Sequence, residues 1–239
     1  MLNIRTQVWN ENISIWDEYI PEKKSVKYFY QPLNYENLNC TTQKPLIQIL
    51  KSDTLDSALK LQKLGYNPLI LNMADIYHPG GCVAAGGGMQ EESLFRRSNY
   101  HRHLLKELYP IEIDAAIYSP NVCIFRDNEE NNFINIGLNH LSFIACPALS
   151  MPQLDRDDNF TKNDEQIFRN KIRLIFQVAN ENNHDSLILG AWGCGAFGCP
   201  VRHVAKIFYD EIQNCKYDFN TIIFAIHGKN YAIFKDYFN

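Results

Sequence analysis

The sequence predicts an α/β protein built on a mostly parallel sheet with helices packed against both faces. Three observations carry that class. The second half of the chain alternates amphipathic stretches with short, wholly apolar runs, the pattern of strands buried on both faces. Two glycine clusters, Gly80–Gly88 and Gly190–Gly198, together hold nine of the twelve glycines. Each cluster falls between an apolar run and an amphipathic one, where a parallel sheet turns from strand to helix and where ligands bind open α/β sheets.

The elements follow in order. "QVWNENISIWDEY" reads as an N-terminal helix packed outside the sheet. In "TLDSALKLQKLG", Leu55, Ala58, Leu59, Leu61 and Leu64 recur at helical spacing, and Gly65 supplies the stop. "PLILN" (68–72) is a buried strand. After the first glycine cluster, "QEESLFRRSNYHRHLLKEL" reads as one helix closed by Pro110. "VCIFR" (122–126) and "NFINI" (132–136) flank a polar stretch and predict a hairpin, and "LSFIACPA" (141–148) predicts a further strand. The next helix opens near Asn163 and Gln166, spaced like a capping box, with Ile167, Phe168, Ile172, Ile175, Phe176 and Ala179 on one face. "SLILG" (186–190), a helix beginning at Pro200, "TIIFAIH" (221–227) and a closing helix "YAIFKDYF" complete the chain. Residues 1–50 are expected to be a helical extension packed on a core domain spanning 51–239.

Composition limits the function. The chain has 239 residues and a net charge of −4, so it lacks the basic field that drives nucleic-acid binding. No run approaches the roughly 20 apolar residues of a membrane span, and the N-terminus lacks a signal-peptide pattern. Seven cysteines without a regular framework read as reduced thiols, which predicts a cytoplasmic protein. Four residues separate Cys194 from Cys199, without a CxxC or HxxxH partner pattern, so no metal and no cofactor are expected. A monomer is expected, with no membrane partner.

The glycine clusters carry the chemistry. Neither contains GxxxxGK[ST], so a nucleotide P-loop is unsupported. "GCGAFG" resembles GxGxxG, but no acidic residue closes a strand about twenty residues later as a dinucleotide site requires. Glycine lets a backbone approach a ligand, and N–H groups at strand-to-helix turns favour anions, phosphates above all. Glu91 and Glu92 stand side by side at a helix start. There they either complement the helix dipole or perform acid–base chemistry. Two loops at equivalent strand ends suggest one ligand held from both sides.

"LNMADIYHPGGCVAAGGGMQEESLFRRS" resembles the signature segment of the poly(ADP-ribose) glycohydrolases, especially the shorter bacterial type, in which a glycine triplet precedes Gln-Glu-Glu. Here Gly80-Gly81-Cys82 is followed, seven residues later, by Gln90-Glu91-Glu92. "LILGAWGCGAFGCP" is similar to the same family's diphosphate loop. The resemblance runs from about residue 50 to the end. It implies a macrodomain-like fold, with a mixed, mostly parallel sheet between helices, and hydrolysis of ADP-ribosyl linkages. The substrate would be poly(ADP-ribose) or an ADP-ribosylated macromolecule, and the product ADP-ribose. The resemblance implies that Glu92 is the catalytic acid and that Glu91 holds ribose hydroxyls and helps to orient it. Asn72 and Asp75 match ribose-side positions. Gly80, Gly81, Cys82 and Gln90 belong to the signature. Gly193, Cys194, Gly195, Ala196, Phe197 and Gly198 would wrap the diphosphate, with Phe197 either packed on a ribose or an ordinary core aromatic. Cys82 replaces the third glycine of the triplet, and Cys199 stands where Asn is common. A hydrolase of single ADP-ribose units and a non-cleaving ADP-ribose reader are the alternatives, and the intact Gln-Glu-Glu argues against the reader. His78, Arg96 and Arg97 carry no assigned role; arginines on a helix usually line a solvated face or pair with acids.

Overall fold

The computed structural model describes residues 3–32 and 44–238. Its strands are β1 (Val26–Phe29), β2 (Leu46–Leu50), β3 (Pro68–Asn72), β4 (Ala115–Arg126), β5 (Asn135–Ala145), β6 (Ser186–Leu189) and β7 (Thr221–Ala225). Its helices are α1 (Ile4–Ile15), α2 (Thr54–Lys63), α3 (Gln90–Arg97), α4 (Lys162–Glu181), α5 (Val201–Gln213) and α6 (Asn230–Phe238). The strands form one sheet in the order β1-β4-β5-β3-β6-β7-β2. β5, β3, β6, β7 and β2 run parallel to one another, while β4 is antiparallel to both β1 and β5. This is the mixed, mostly parallel sheet the sequence predicts.

Side-chain alternation along the central strands builds the two cores. Leu69 and Leu71 of β3, Leu187 and Leu189 of β6, and Ile222 and Phe224 of β7 face α4, α5 and α6. Ile70, Ile188 and Ile223, one residue out of phase, face α2 and α3, with Trp9 of α1 beyond them. A period of two on a sheet buried on both sides requires apolar residues at every position, which is why these runs contain almost no polar residue.

α2 is capped by Asp53, whose side chain accepts the N–H groups of Leu55 and Asp56 at 2.8 and 3.1 Å. It buries Leu55, Ala58 and Leu61, and ends before Gly65 at φ +89. Leu64, read as part of that apolar face, lies in the last turn and is 74% exposed.

Several boundaries differ from expectation. The helix opened by Gln90 stops at Arg97 and does not run on to Pro110. Ser98 is extended and bridges Ile124, and Asn99 exchanges hydrogen bonds with Cys123 through its N–H and its side chain. β1 pairs only with the first part of β4, and this segment attaches to the other end. The stretches 132–136 and 141–148 are not two strands: β5 runs continuously from 135 to 145 and pairs with a β4 that starts at 115. Thr161, not Asn163, caps α4, its hydroxyl accepting from the Asp164 N–H. Pro200 is the cap residue of α5, one position before its first turn. The sheet also reaches into the first fifty residues: β1 pairs with β4, and β2 forms an edge strand along β7. A boundary at residue 50 therefore separates α1 from the core but cuts off two strands of the sheet. Residues 33–43 of the expected extension lie outside the described residues.

Candidate active site

β3 and β6 are adjacent and parallel, with Leu69 opposite Leu187 and Ile70 opposite Ile188. The loops leaving their C-terminal ends, residues 73–89 and 190–200, therefore emerge side by side. A cleft of about 620 Å³ lies between them. Asp75, Gly81, Cys82, Gln90, Glu91 and Glu92 line it from the first loop and α3; Gly193, Gly195, Ala196 and Phe197 line it from the second.

The first turn of α3 treats its two carboxylates differently. Glu91 is tied down: one oxygen accepts from the Asn72 amide at 3.1 Å and the Gly80 N–H at 3.2 Å, and the other from the Asp75 N–H at 2.7 Å. Burial pushes its carboxyl up to about 8, these donors pull the other way, and the charge of Glu92 adds to the rise. Glu92 is held at one oxygen only. Its Oε1 accepts from the Cys82 N–H at 3.0 Å, while its buried Oε2 has no partner.

Glycine makes this packing possible. A Cβ on Gly81, which sits at φ +52, would come within 2.8 Å of Glu92 Oε1, and one on Gly87 within 2.9 Å. At Gly81 both the backbone angle and the space exclude a side chain.

Several residues expected at the ligand are engaged within the protein. Asn72 is fully buried and does not line the cleft; it braces Glu91. Gln90 lines the cleft, but its amide is already engaged, accepting from the Met73 N–H and donating to the Leu71 carbonyl. Asp75 reaches the cleft while its side chain accepts the N–H groups of Tyr77 and His78. Gly80 is buried under the Phe95 ring and lies away from the cleft. His78 is exposed beside Asp75.

The second loop is anchored by Trp192, which is fully buried and donates to the Cys146 carbonyl at 3.0 Å. Turn hydrogen bonds from Cys194 to Ala191, from Gly198 to Gly195 and from Cys199 to Gly193 shape it. The N–H groups of Gly195, Ala196 and Phe197 have no acceptor among the described residues. Cys194 and Gly198 are not in the cleft wall: the Cys194 thiol contacts the Trp192 carbonyl, and Gly198 makes the exit turn at φ +72. Burial pushes the Cys199 thiol up to about 12. Phe197 is half-buried, with one side on the α4–α5 core and the other on the cleft. Among the described residues no group of three or more His, Cys, Asp or Glu side chains could hold a metal ion, and no helix is long and apolar enough to cross a membrane.

Sequence reading missed other parts of the wall. Arg96 and Phe133 reach the cleft, as do Asp53 at the start of α2 and His227 after β7. Neither Arg96 nor Arg97 is solvated: both are buried, and Arg97 pairs with Asp53 at 2.5 Å and Asp56 at 2.7 Å. The spacing of Arg96 four residues after Glu92 puts both on one helix face, and was the available signal. Nothing local marks Phe133, which arrives from the tip of the β4–β5 hairpin.

Residues 6–127, just over half the chain, match the family model for the catalytic domain of microbial-type PARG, poly(ADP-ribose) glycohydrolase. The chain belongs to this family. Its activity is therefore that of a glycosidase, the hydrolysis of poly(ADP-ribose) with release of ADP-ribose. Among solved structures, poly(ADP-ribose) glycohydrolase from Thermomonospora curvata is 23% identical over 98% of each chain, with a TM-score of 0.76. A second structure of that enzyme, bound to the inhibitor ADP-HPD, gives 0.77 at the same identity, over 97% of this chain and 98% of that one. The Deinococcus radiodurans enzyme in complex with ADP-ribose is 22% identical over 89% of this chain and 93% of its own, with a TM-score of 0.72. At these identities the likeness is one of fold, and it reaches beyond the family segment to nearly the whole chain. No curated protein matches the chain.

Proposed function

We propose that Glu92 is the general acid of this glycohydrolase and that the two glycine loops hold the ADP-ribose unit on its scissile side. The observation that carries this is the asymmetry of the carboxyl pair: Glu91 is saturated by three donors, whereas Glu92 keeps one oxygen unpartnered in the cleft. An orphaned buried acceptor is costly in a fold and is expected where a reacting group is to meet it.

In this reading the proton leaves Glu92 Oε2 for the leaving ribose oxygen. The glycosidic C–O bond breaks with its electron pair on that oxygen, and the ribose carbon takes on oxocarbenium character. Water then adds to that carbon and returns a proton to Glu92. Glu91 stays fixed and sets the angle of the helix turn that carries Glu92. The unpaired N–H groups of Gly195, Ala196 and Phe197 suit the diphosphate, because successive backbone donors form an anion-binding concavity. Phe197 packs on the adjoining ribose. The structures of the T. curvata enzyme with ADP-HPD and the D. radiodurans enzyme with ADP-ribose support a nucleotide of this kind as the occupant.

Glu92→Gln tests the assignment. It keeps the shape and the Cys82 contact but removes the transferable proton. Turnover of poly(ADP-ribose) is expected to fall about 10²–10⁴-fold, the range for loss of a general acid, while ADP-ribose affinity by calorimetry stays within a few-fold. A variant that still releases ADP-ribose at near-normal rate would remove Glu92 from the role. Running the same assay on mono-modified protein separates a hydrolase of single units from one that acts on the polymer.

A further inference from the structure

We propose that Arg96 is a positioning residue of the glycosidase reaction, clamping the glycine turn against the acid and placing a cation beside it; this rests on Glu92 being the acid. Arg96 is 1% exposed and lines the same cleft. Its Nη2 donates to the Gly87 carbonyl at 2.6 Å, while its buried Nε and Nη1 have no partner. It leaves α3 beside Leu94 and Phe95, in an apolar cluster where a Leu or Met would pack without desolvating a charge. The fold alone gives no reason for a guanidinium there.

The contacts of Gly87 give one. Its carbonyl is held by Arg96, its N–H donates to the Cys82 carbonyl at 3.0 Å, and its Cα stands so close to Glu92 that an added Cβ would lie 2.9 Å from Oε1. Cys82 in turn donates to that same Oε1. Gly87 is thus the wall behind the fixed oxygen of Glu92, and Arg96 is the bolt on the wall. Asn12 of α1 secures the bolt, its amide donating to the Phe95 and Arg96 carbonyls at 3.3 and 2.6 Å.

Charge supports the same role. The charged groups around Glu92 are Glu91 and Arg96 on its own helix, Arg5 from α1 and Glu129 from the hairpin tip. Arg5 is occupied by both oxygens of Glu129, at 2.8 and 2.9 Å. Arg96 is the buried cation on the same helix as Glu92, with two nitrogens that have no partner. Once Glu92 has given up its proton it is a carboxylate, and a nearby fixed cation favours that state.

The test compares Arg96→Met, Arg96→Lys and Arg96→Ala with Glu92→Gln. For each, the melting temperature, ADP-ribose affinity by calorimetry and kcat on poly(ADP-ribose) are measured. Arg96→Met is expected to fold and bind ADP-ribose within about three-fold, with kcat down about 30-fold or more, the signature of a misplaced catalytic group. Arg96→Lys should recover part of that loss. Low, non-denaturing guanidinium should raise turnover of Arg96→Ala saturably, which no role in packing alone would produce. A Met variant with kcat within two-fold of the parent, or an Ala variant without rescue, overturns the proposal. Failure of both the Met and Lys variants to fold assigns Arg96 to the core and overturns it too. Normal turnover in Glu92→Gln would instead bring down the reading on which it rests.

Discussion

The two glycine loops look alike in sequence but differ in what the glycines nearest the cleft do. In the first loop the missing side chains make room for the protein's own groups: Gly80 lies under Phe95, and Gly81 and Gly87 flank Glu92. In the second, Gly190 and Gly193 are packed against Met73 and against Cys199 and Ala148, but Gly195 and Gly198 meet nothing nearer than 3.5 and 3.4 Å. That loop leaves three consecutive N–H groups, those of Gly195, Ala196 and Phe197, without an acceptor among the described residues. In the function proposed above, one loop is a mould for the acid and the other a cradle for the ligand. A glycine count cannot separate the two uses, whereas the atoms that a Cβ would meet can.

Substituting alanine into each loop should break the comparison most sharply. Gly81→Ala forces a left-handed residue and pushes Glu92 Oε1. It is expected to cost about 1–3 kcal/mol of stability and to lower turnover about 100-fold through misplacement of the acid. Gly195→Ala should leave the melting temperature within the error of the wild type, because its Cβ makes only ordinary contact with Met89; any effect should appear in ADP-ribose affinity. Equal stability losses at the two positions would mean that the loops use glycine in the same way.

Phe197→Ala probes the cradle alone. Losing an aromatic face that is half in the cleft should weaken ADP-ribose binding by about 1–3 kcal/mol, roughly five- to 150-fold, with little change in kcat at saturation. A full core aromatic would instead lose about 3–5 kcal/mol of stability on truncation. A thermal melt beside the calorimetric titration distinguishes the two, and a collapsed melting temperature with normal affinity would return Phe197 to the core.

The smallest effect belongs to the mould. Glu91 is raised from 4.5 to about 8 in the folded protein. A carboxyl raised on folding binds its proton more tightly in the native state. Its favourable contribution is therefore complete below about pH 4.5 and is lost as pH rises towards 8. Glu91→Gln, which stays neutral, should lose less stability than the wild type between pH 5 and 8. Melting curves across that range should show the gap between the two proteins narrowing or reversing by a few degrees as pH rises. Parallel curves would show that Glu91 is ionised throughout.

Much of the framework was legible because it is local. Helical spacing located α2, α4 and α5, and unbroken apolar runs located β3, β6 and β7, since a strand buried on both faces has no polar side to show. The strand-to-helix positions of the two glycine clusters and the adjacent Glu91 and Glu92 likewise pointed to the cleft before any contact was known. What tertiary structure decided was which groups remain unpaired. α3 ends where Ser98 and Asn99 meet β4, a pairing between segments some twenty-five residues apart that no helix propensity encodes. Asn72 and Gln90 are engaged within the protein because the Leu71 carbonyl, the Met73 N–H and Glu91 lie within their reach. Arg97 found Asp53 and Asp56, while Arg96, next to it in the chain, found one carbonyl. Chemical type is a property of the residue and can be read along the chain. Whether a hydrogen-bonding group is satisfied depends on what the rest of the chain brings within about 3 Å of it, and only the folded molecule determines that.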